Sequence, residues 1–371
     1  MRIVFMGTPD FAVASLSKLV ENNYNVVAVV TMPDKPVGRH HDTLQASPVK
    51  QYAVAHGIPV LQPERLKDEA FLEELRSYRA DLQVVVAFRM LPEVVWAMPP
   101  LGTFNLHAAL LPQYRGAAPI NWAVINGETE TGITTFFLDH DIDTGRIIHR
   151  VAVPIADTDT VGDVHDRLMV LGADLVQRTI DDIAAGTVET IDQGELMENG
   201  KWKMENGQGT LDKRSEQSLP SLTGGAGGGS LRPAPKLTRE NTQILWHQHT
   251  VKSAYDFIRG LSPYPGAWTT LRTADGKETQ LKVFFAEKQT PSSLPLKGEG
   301  GHHQECVNDN SEHHYPLSII HSALSVPLRD GILLLTDIQL AGKRRMAAAD
   351  FLRGAHLDGA VLVEQEAQNN G

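Results

Sequence analysis

At 371 residues, with 42% hydrophobic and 21% charged residues, the chain is long enough for two globular domains and too evenly composed for a fibrous or membrane protein. A formal net charge of -11 argues against a protein that coats nucleic acid, while leaving room for a local basic patch. The single Cys306 excludes an internal disulfide framework, and the opening "MRIVFMGTPDF" lacks the apolar length of a signal segment, so a cytoplasmic location is expected.

In chain order, "RIVFMG" and "NVVAVVT" are short, β-branched apolar runs. Between them, residues 11–22 place Val13, Leu16, Leu19 and Val20 at helical spacing. Strand, helix, strand predicts a parallel sheet. A charged helix is predicted over 64–79, followed by the strand "LQVVVAF". "GTFNLHA" and "GITTFFL" are further strands with a helix in "PINWAVING" between them, and an amphipathic helix over 161–186 closes the domain.

The predicted organisation is therefore a Rossmann-like, doubly wound α/β domain over 1–188, a Gly/Ser/Pro-rich linker over 189–235 and a small OB-like β-barrel over 236–365. In the last part "VKSAYDFIRGLS" reads as a helix, and the Asp-Gly pairs at 275–276 and 330–331 mark hairpins. An irregular insert is expected at about 290–318.

Several chemistries fall away on spacing. Only Gly7 stands where a dinucleotide fingerprint needs three glycines. Asp139, Asp141 and Asp143 alternate as in a calcium loop, but Thr144 and Arg150 occupy the sixth and twelfth positions, where Gly and Glu are needed. His302, His303, Cys306, His313 and His314 match no structural zinc spacing, so no metal is expected. What remains is Asn105 and His107, two apart on a strand and hence on one face near its carboxyl end, with Asp143 on a loop after the next strand. An amide, an imidazole and a carboxylate suit acyl transfer through an oxyanion. By spacing alone they equally suit a satisfied core histidine and a turn aspartate.

The stretches "FMGTPDFA", "SPVK", "NLHAALLPQYRGAAPINWAVINGETETGIT", "DIDTG" and "GLSPYPGAW", in this order, resemble the methionyl-tRNA formyltransferase family. The likeness runs from residue 1 to about 185 and from about 235 to 354. It implies transfer of a formyl group from 10-formyltetrahydrofolate to the α-amine of methionyl initiator tRNA by a cytoplasmic monomer, with Asn105, His107 and Asp143 as the catalytic trio. It also implies donor contacts from Ala109, Leu110, Leu111 and Pro112 and from Phe88, Arg89, Met90 and Leu91. Ala109 stands where relatives often carry Ser, and Arg89 where many carry Gly.

For the tRNA the resemblance points to Lys35, Arg39, His40, His41 and Lys50, with two histidines and Asp42 where many relatives have lysines. Lys252, Arg259, Lys343, Arg344 and Arg345 make a local basic supply in the β module. The competing expectations are a formyltransferase of a small amine, such as glycinamide ribonucleotide or an amino-sugar nucleotide, and a non-catalytic tRNA-binding protein.

Overall fold

A computed structural model of the protein describes residues 1–37, 43–198, 201–202, 231–289, 306–307, 313–355 and 357–364. Two compact units emerge, one of Met1–Pro119, Thr129–Pro154 and Val164–Pro235, the other of Ile120–Glu128, Ile155–Asp163 and Lys236–Gly371. Among the described residues no helix is long and apolar enough to cross a membrane.

The first half runs β1 (Ile3–Gly7), α1 (Asp10–Glu21), β2 (Val26–Val30), a hairpin of β3 (Lys35–Val37) and β4 (Thr43–Gln45), α2 (Pro48–Ala55), β5 (Val60–Leu61) and α3 (Glu69–Ser77). It continues through β6 (Leu82–Val86), α4 (Glu93–Trp96), β7 (Thr103–His107), α5 (Pro119–Ile125), β8 (Glu130–Phe137), β9 (Ile147–Pro154) and α6 (Val161–Ala185). Seven of these strands form one sheet, ordered β5-β2-β1-β6-β7-β8-β9. Its first five strands are parallel. All five residues of β1 and of β6 are buried, which is why each reads as an unbroken apolar run.

The sheet departs from a wholly parallel expectation at one edge, where β8 pairs antiparallel with β7 and β9 with β8. Strand β9 was not anticipated: half-buried His149 and Arg150 interrupt its apolar pattern. Helix α3 is shorter than 64–79, because the Asp68 carboxylate accepts from the Ala70 N–H and caps the helix there. At α2, Ser47 accepts from the Lys50 N–H and Pro48 takes the first helical position. Thr160 and Asp163 bond each other's backbone N–H groups at the start of α6. Further along α6, a Cβ on Gly172 would lie 2.7 Å from the Leu106 side chain, so glycine lets the helix press against β7.

After a two-residue ladder of β10 (Met197–Glu198) and β11 (Lys201–Trp202), the second unit contributes α7 (Val251–Gly260), β12 (Ala267–Arg272), β13 (Glu278–Gln289), β14 (Cys306–Val307), β15 (His313–Pro316), β16 (Ser318–Ile320), β17 (Ala323–Leu328), β18 (Gly331–Leu340), β19 (Met346–Ala347), α8 (Ala348–Leu352) and β20 (Val361–Glu364). These strands form a nearly closed antiparallel barrel ordered β14-β15-β20-β12-β13-β18-β17-β16, with β19 on β18. Both Asp-Gly turns join strands as read from the sequence, β12 to β13 and β17 to β18. The stretch at 290–318 is not irregular to its end: Tyr315 pairs with Leu362, because β15 alternates well enough to join the ladder. The core gathers Trp246, Phe257, Leu281, Val283, Leu324 and Leu335, and the Trp246 Nε1–H donates to Thr269 Oγ1 at 3.0 Å.

Half-buried His249 lies against this core. Its Nδ1 lies 3.1 Å from Ser253 Oγ and its ring 5.2 Å from that of Phe257. Burial first, and the neighbouring His247 second, push its pKa down to about 4. An unfolded histidine titrates near 6.5, so the unfolded chain binds more protons below that pH and the stabilisation held above about pH 6.5 is lost as pH falls toward 4. Unfolding midpoints at pH 7.5 and pH 5 are expected to show a loss, attributable to this ring, of roughly 2 kcal/mol. His249→Gln should abolish that component, and an unchanged difference between the two pH values would assign it elsewhere.

Candidate active site

Asn105 and His107 occupy the last turn of pleat in β7, whose register sets Asn105 between Val85 of β6 and Phe136 of β8, and His107 beside Thr134. Asn105 is half-buried, and its amide makes no hydrogen bond to another described residue. His107 is 6% exposed. Its Nε2 lies 2.9 Å from the Tyr114 carbonyl oxygen. Because a carbonyl can only accept, Nε2 carries the hydrogen and donates, which turns Nδ1 toward Asp143. The Asp143 Oδ2 stands 3.8 Å from Nδ1, within ion-pair reach but too long for a hydrogen bond.

Asp143 lies on the turn between β8 and β9 and returns to the end of β7, as the acyl-transfer reading requires. It takes the left-handed conformation, φ +56°, and its Oδ2 accepts the Gly116 N–H at 3.0 Å. The same turn uses Asp139 as a cap, its carboxylate accepting from the Asp141 N–H and the Thr144 hydroxyl.

The loop after β7 is held from several sides. Thr134 Oγ1 donates to the Ala109 carbonyl at 2.6 Å and accepts the Leu111 N–H at 3.2 Å. Tyr114, at φ +58°, donates its N–H to the Arg232 carbonyl. Ala234 donates its N–H to the Arg115 carbonyl and accepts from Ala117 at 2.7 Å. Gly116, at φ +126°, passes so close to the Ala234 carbonyl that a Cβ there would overlap it. Thus 231–235, the end of the expected linker, belongs to the first unit and lines this loop.

Arg115 is half-buried. Burial lowers its pKa, opposed by the negative charges of Asp143, Asp139 and Asp141. Its guanidinium donates to Gln193 Oε1. Neither Gln193 nor the 232–234 contacts carried a signal in the sequence, being polar or small residues in a low-complexity tract.

The expected donor residues divide by exposure. Ala109, Leu111 and Pro112 are buried and form the floor of the loop, leaving Leu110 partly accessible. Leu91 is buried, Phe88 half-buried and Met90 75% exposed, on the segment that leaves β6 through Ala87 at φ +48°. The Arg89 guanidinium turns back to donate to the Pro63 and Glu64 carbonyls.

Of the expected tRNA residues, Arg39, His40 and His41 lie outside the described residues. Lys35 is exposed, and Lys50 is half-buried in a 2.6 Å ion pair with Asp34. Lys343 and Arg344 are exposed, while Arg345 clasps Asp337 and lies over the Phe284 ring, 4.3 Å from its centroid. Arg259 is not a surface cation: it is buried, pairs with Asp256 at 2.8 Å and donates to the carbonyls of Ala156 and Asp159. Burying its charge demands those partners. Lys252 is likewise paired with Asp256.

A mostly parallel sheet whose strand β7 carries an amide and an imidazole near its carboxyl end, with a carboxylate brought to the imidazole by the turn between β8 and β9, followed by an antiparallel barrel, defines the class: residues 1–180 match the formyl transferase family and residues 236–356 its C-terminal domain. The chain is 54% identical over 358 residues to the methionyl-tRNA formyltransferase of Parabacteroides distasonis, covering 95% of each chain. It is 52% identical over 364 residues to that of Bacteroides fragilis, covering 98% of each. The chain belongs to the methionyl-tRNA formyltransferase family.

Solved structures show the same fold at low identity. HypX from Aquifex aeolicus in complex with tetrahydrofolic acid superposes with a TM-score of 0.54 at 17% identity, over 95% of this chain and 47% of that one, so the chain spans about half of HypX. WlaRD, a sugar 3N-formyl transferase, gives 0.55 at 15% identity, over 93% and 99%.

Proposed function

We propose that the protein formylates the α-amine of methionyl initiator tRNA with 10-formyltetrahydrofolate as donor, acting as a cytoplasmic monomer. The observation that supports this reading most is the return of Asp143 to His107 beside an uncommitted Asn105 amide, in a chain that shares half its residues with named methionyl-tRNA formyltransferases. The folate is a substrate, and the surface offered to it fits a flat, partly apolar ring: exposed Met90, half-buried Phe88 and Leu110 lie on segments that leave the carboxyl ends of adjacent parallel strands. Ala109, Leu111, Pro112 and Leu91 support that surface from beneath, and Arg89 ties one wall to the 63–64 backbone.

In this mechanism the neutral amine attacks the formyl carbon. The new N–C bond forms as the carbonyl electrons move to oxygen; collapse then breaks the bond to folate N10, which takes up a proton as the amine loses one. An α-amino group with a pKa no higher than about 8 keeps at least about a tenth of its population neutral at pH 7, enough to react without a strong base. Asn105 donates to the oxyanion. The His107 Nε2–H exchanges the Tyr114 carbonyl for the oxyanion, a favourable exchange because a hydrogen bond to an ionised acceptor is roughly twice as strong as one to a neutral acceptor. Asp143, with Oδ2 3.8 Å from Nδ1, holds the ring in orientation and helps to move the amine proton.

Lys35, Arg39, His40, His41, Lys50, Lys343, Arg344 and Arg345 are the residues assigned to the tRNA backbone, with Lys35, Lys343 and Arg344 exposed among those described. The direct test is formyl transfer from 10-formyltetrahydrofolate to methionyl initiator tRNA, glycinamide ribonucleotide and an amino-sugar nucleotide in parallel. Transfer to the tRNA alone is expected. Transfer to either small amine at a comparable kcat/KM would replace this acceptor with a nucleotide.

A further inference from the structure

We infer that Gln193 is a positioning residue for the transfer reaction, holding Asp143 in its working conformation from within a tract that the sequence presents as a linker. The inference rests on the catalytic reading of Asp143 given above. Gln193 sits on a single turn of 3-10 helix, Gln193–Leu196, and is 3% exposed. Its Nε2 donates to the carbonyl of Asp143 at 2.9 Å and to that of Gly145 at 2.8 Å. Its Oε1 accepts from Arg115 Nη2 at 2.6 Å and from Nε at 3.3 Å.

The amide therefore uses both of its hydrogens and both acceptor positions on one target, the pair of segments that meet at His107. A polar side chain buried this deeply is held by its partners, and all of these partners belong to the two loops of the site. What it holds is a conformation that needs holding. Asp143 is a non-glycine residue at φ +56°, in the left-handed region that residues other than glycine seldom adopt. With its carbonyl and that of Gly145 both pinned, the Asp143 carboxylate is directed at the Gly116 N–H and the His107 ring.

On the other side, Gln193 fixes Arg115, the residue between Tyr114, whose carbonyl bonds His107, and Gly116, whose N–H bonds Asp143. One side chain thus sets the spacing of imidazole and carboxylate from both ends. The turn is itself anchored, because Ile191 exchanges both backbone hydrogen bonds with Ile147 of β9.

The experiment is a double-mutant cycle of Gln193→Ala and Asp143→Asn on the full-length protein, reading kcat and KM for both substrates, with thermal unfolding of every variant. Gln193→Ala alone is expected to lower kcat by about 10- to 100-fold, the scale of a displaced catalytic group, while each KM stays within about threefold. In the Asp143→Asn background it should cost less than about threefold more, since a residue that acts through Asp143 has nothing left to position. Gln193→Glu keeps the shape and the Arg115 contact but presents oxygens to the two carbonyls, and should reproduce the loss in kcat without a loss of fold.

Multiplicative losses, or a fall in kcat explained by unfolding in the alanine variant and absent from Gln193→Glu, would overturn the inference and leave Gln193 a structural residue. Near-wild-type turnover in Asp143→Asn alone would instead remove Asp143 from the mechanism, and the positioning role with it.

Discussion

His107→Ala is expected to lower kcat for formyl transfer by at least about a hundredfold, with little change in either KM and a preserved fold. The ring contributes at two points, donating through Nε2 and facing Asp143 through Nδ1. On the proposed mechanism, removing it takes away an oxyanion donor and the partner of the carboxylate together. The fold should survive because β7 is held by backbone ladders on both sides, to β6 and to β8, and the core beneath it does not depend on an imidazole. A variant that binds both substrates and turns over within tenfold of wild type would remove His107 from the chemistry.

The second large effect is expected at a residue with no chemistry of its own. Gly145 follows Asp143 by two positions, and a Cβ there would overlap the backbone carbonyl oxygen of Phe137 on β8. A flexible side chain can yield to such an intrusion, but Phe137 is fixed by its own N–H bond to the Arg146 carbonyl and cannot. The turn must lift instead, breaking the Gln193 bond to the Gly145 carbonyl and moving Asp143 from His107. Gly145→Ala is expected to lower kcat by about a hundredfold, because catalytic groups displaced by an ångström commonly lose that much. It should also cost on the order of 2–3 kcal/mol of stability through strain. An activity and an unfolding midpoint both close to wild type would show that the turn yields without moving the carboxylate.

How far the sequence could be read depended on where each residue's partners come from. The parallel core was legible because β1 and β6 are buried on both faces and so appear as uninterrupted apolar runs. The two hairpins of the barrel were legible because a turn is a local event and an Asp-Gly pair declares it. Strand β9 was not, because its central residues are only half-buried on both faces and its polar residues break the pattern. Arg259 was misread as an outward charge: nothing local distinguishes a cation in water from one balanced by Asp256 and two carbonyls supplied by 156–159.

At the site, the shared face of Asn105 and His107 followed from strand periodicity, whereas the approach of Asp143 depended on a turn whose course no local pattern encodes. Gln193 was illegible for a stronger reason. Its surroundings are polar and poor in apolar residues, the composition by which a linker is recognised, and only the folded loops give its amide anything to bind.

The first unit is completed by residues from far along the chain, since Tyr114, Arg115 and Ala117 take their backbone partners from Arg232 and Ala234. The second unit, reciprocally, includes Ile120–Glu128 and Ile155–Asp163, from within the first half. Each half of the gene therefore encodes part of the other's folded unit. Two polypeptides made by dividing the chain between 203 and 230 should fold poorly apart and regain transferase activity on mixing, as complementing fragments rather than as separable domains.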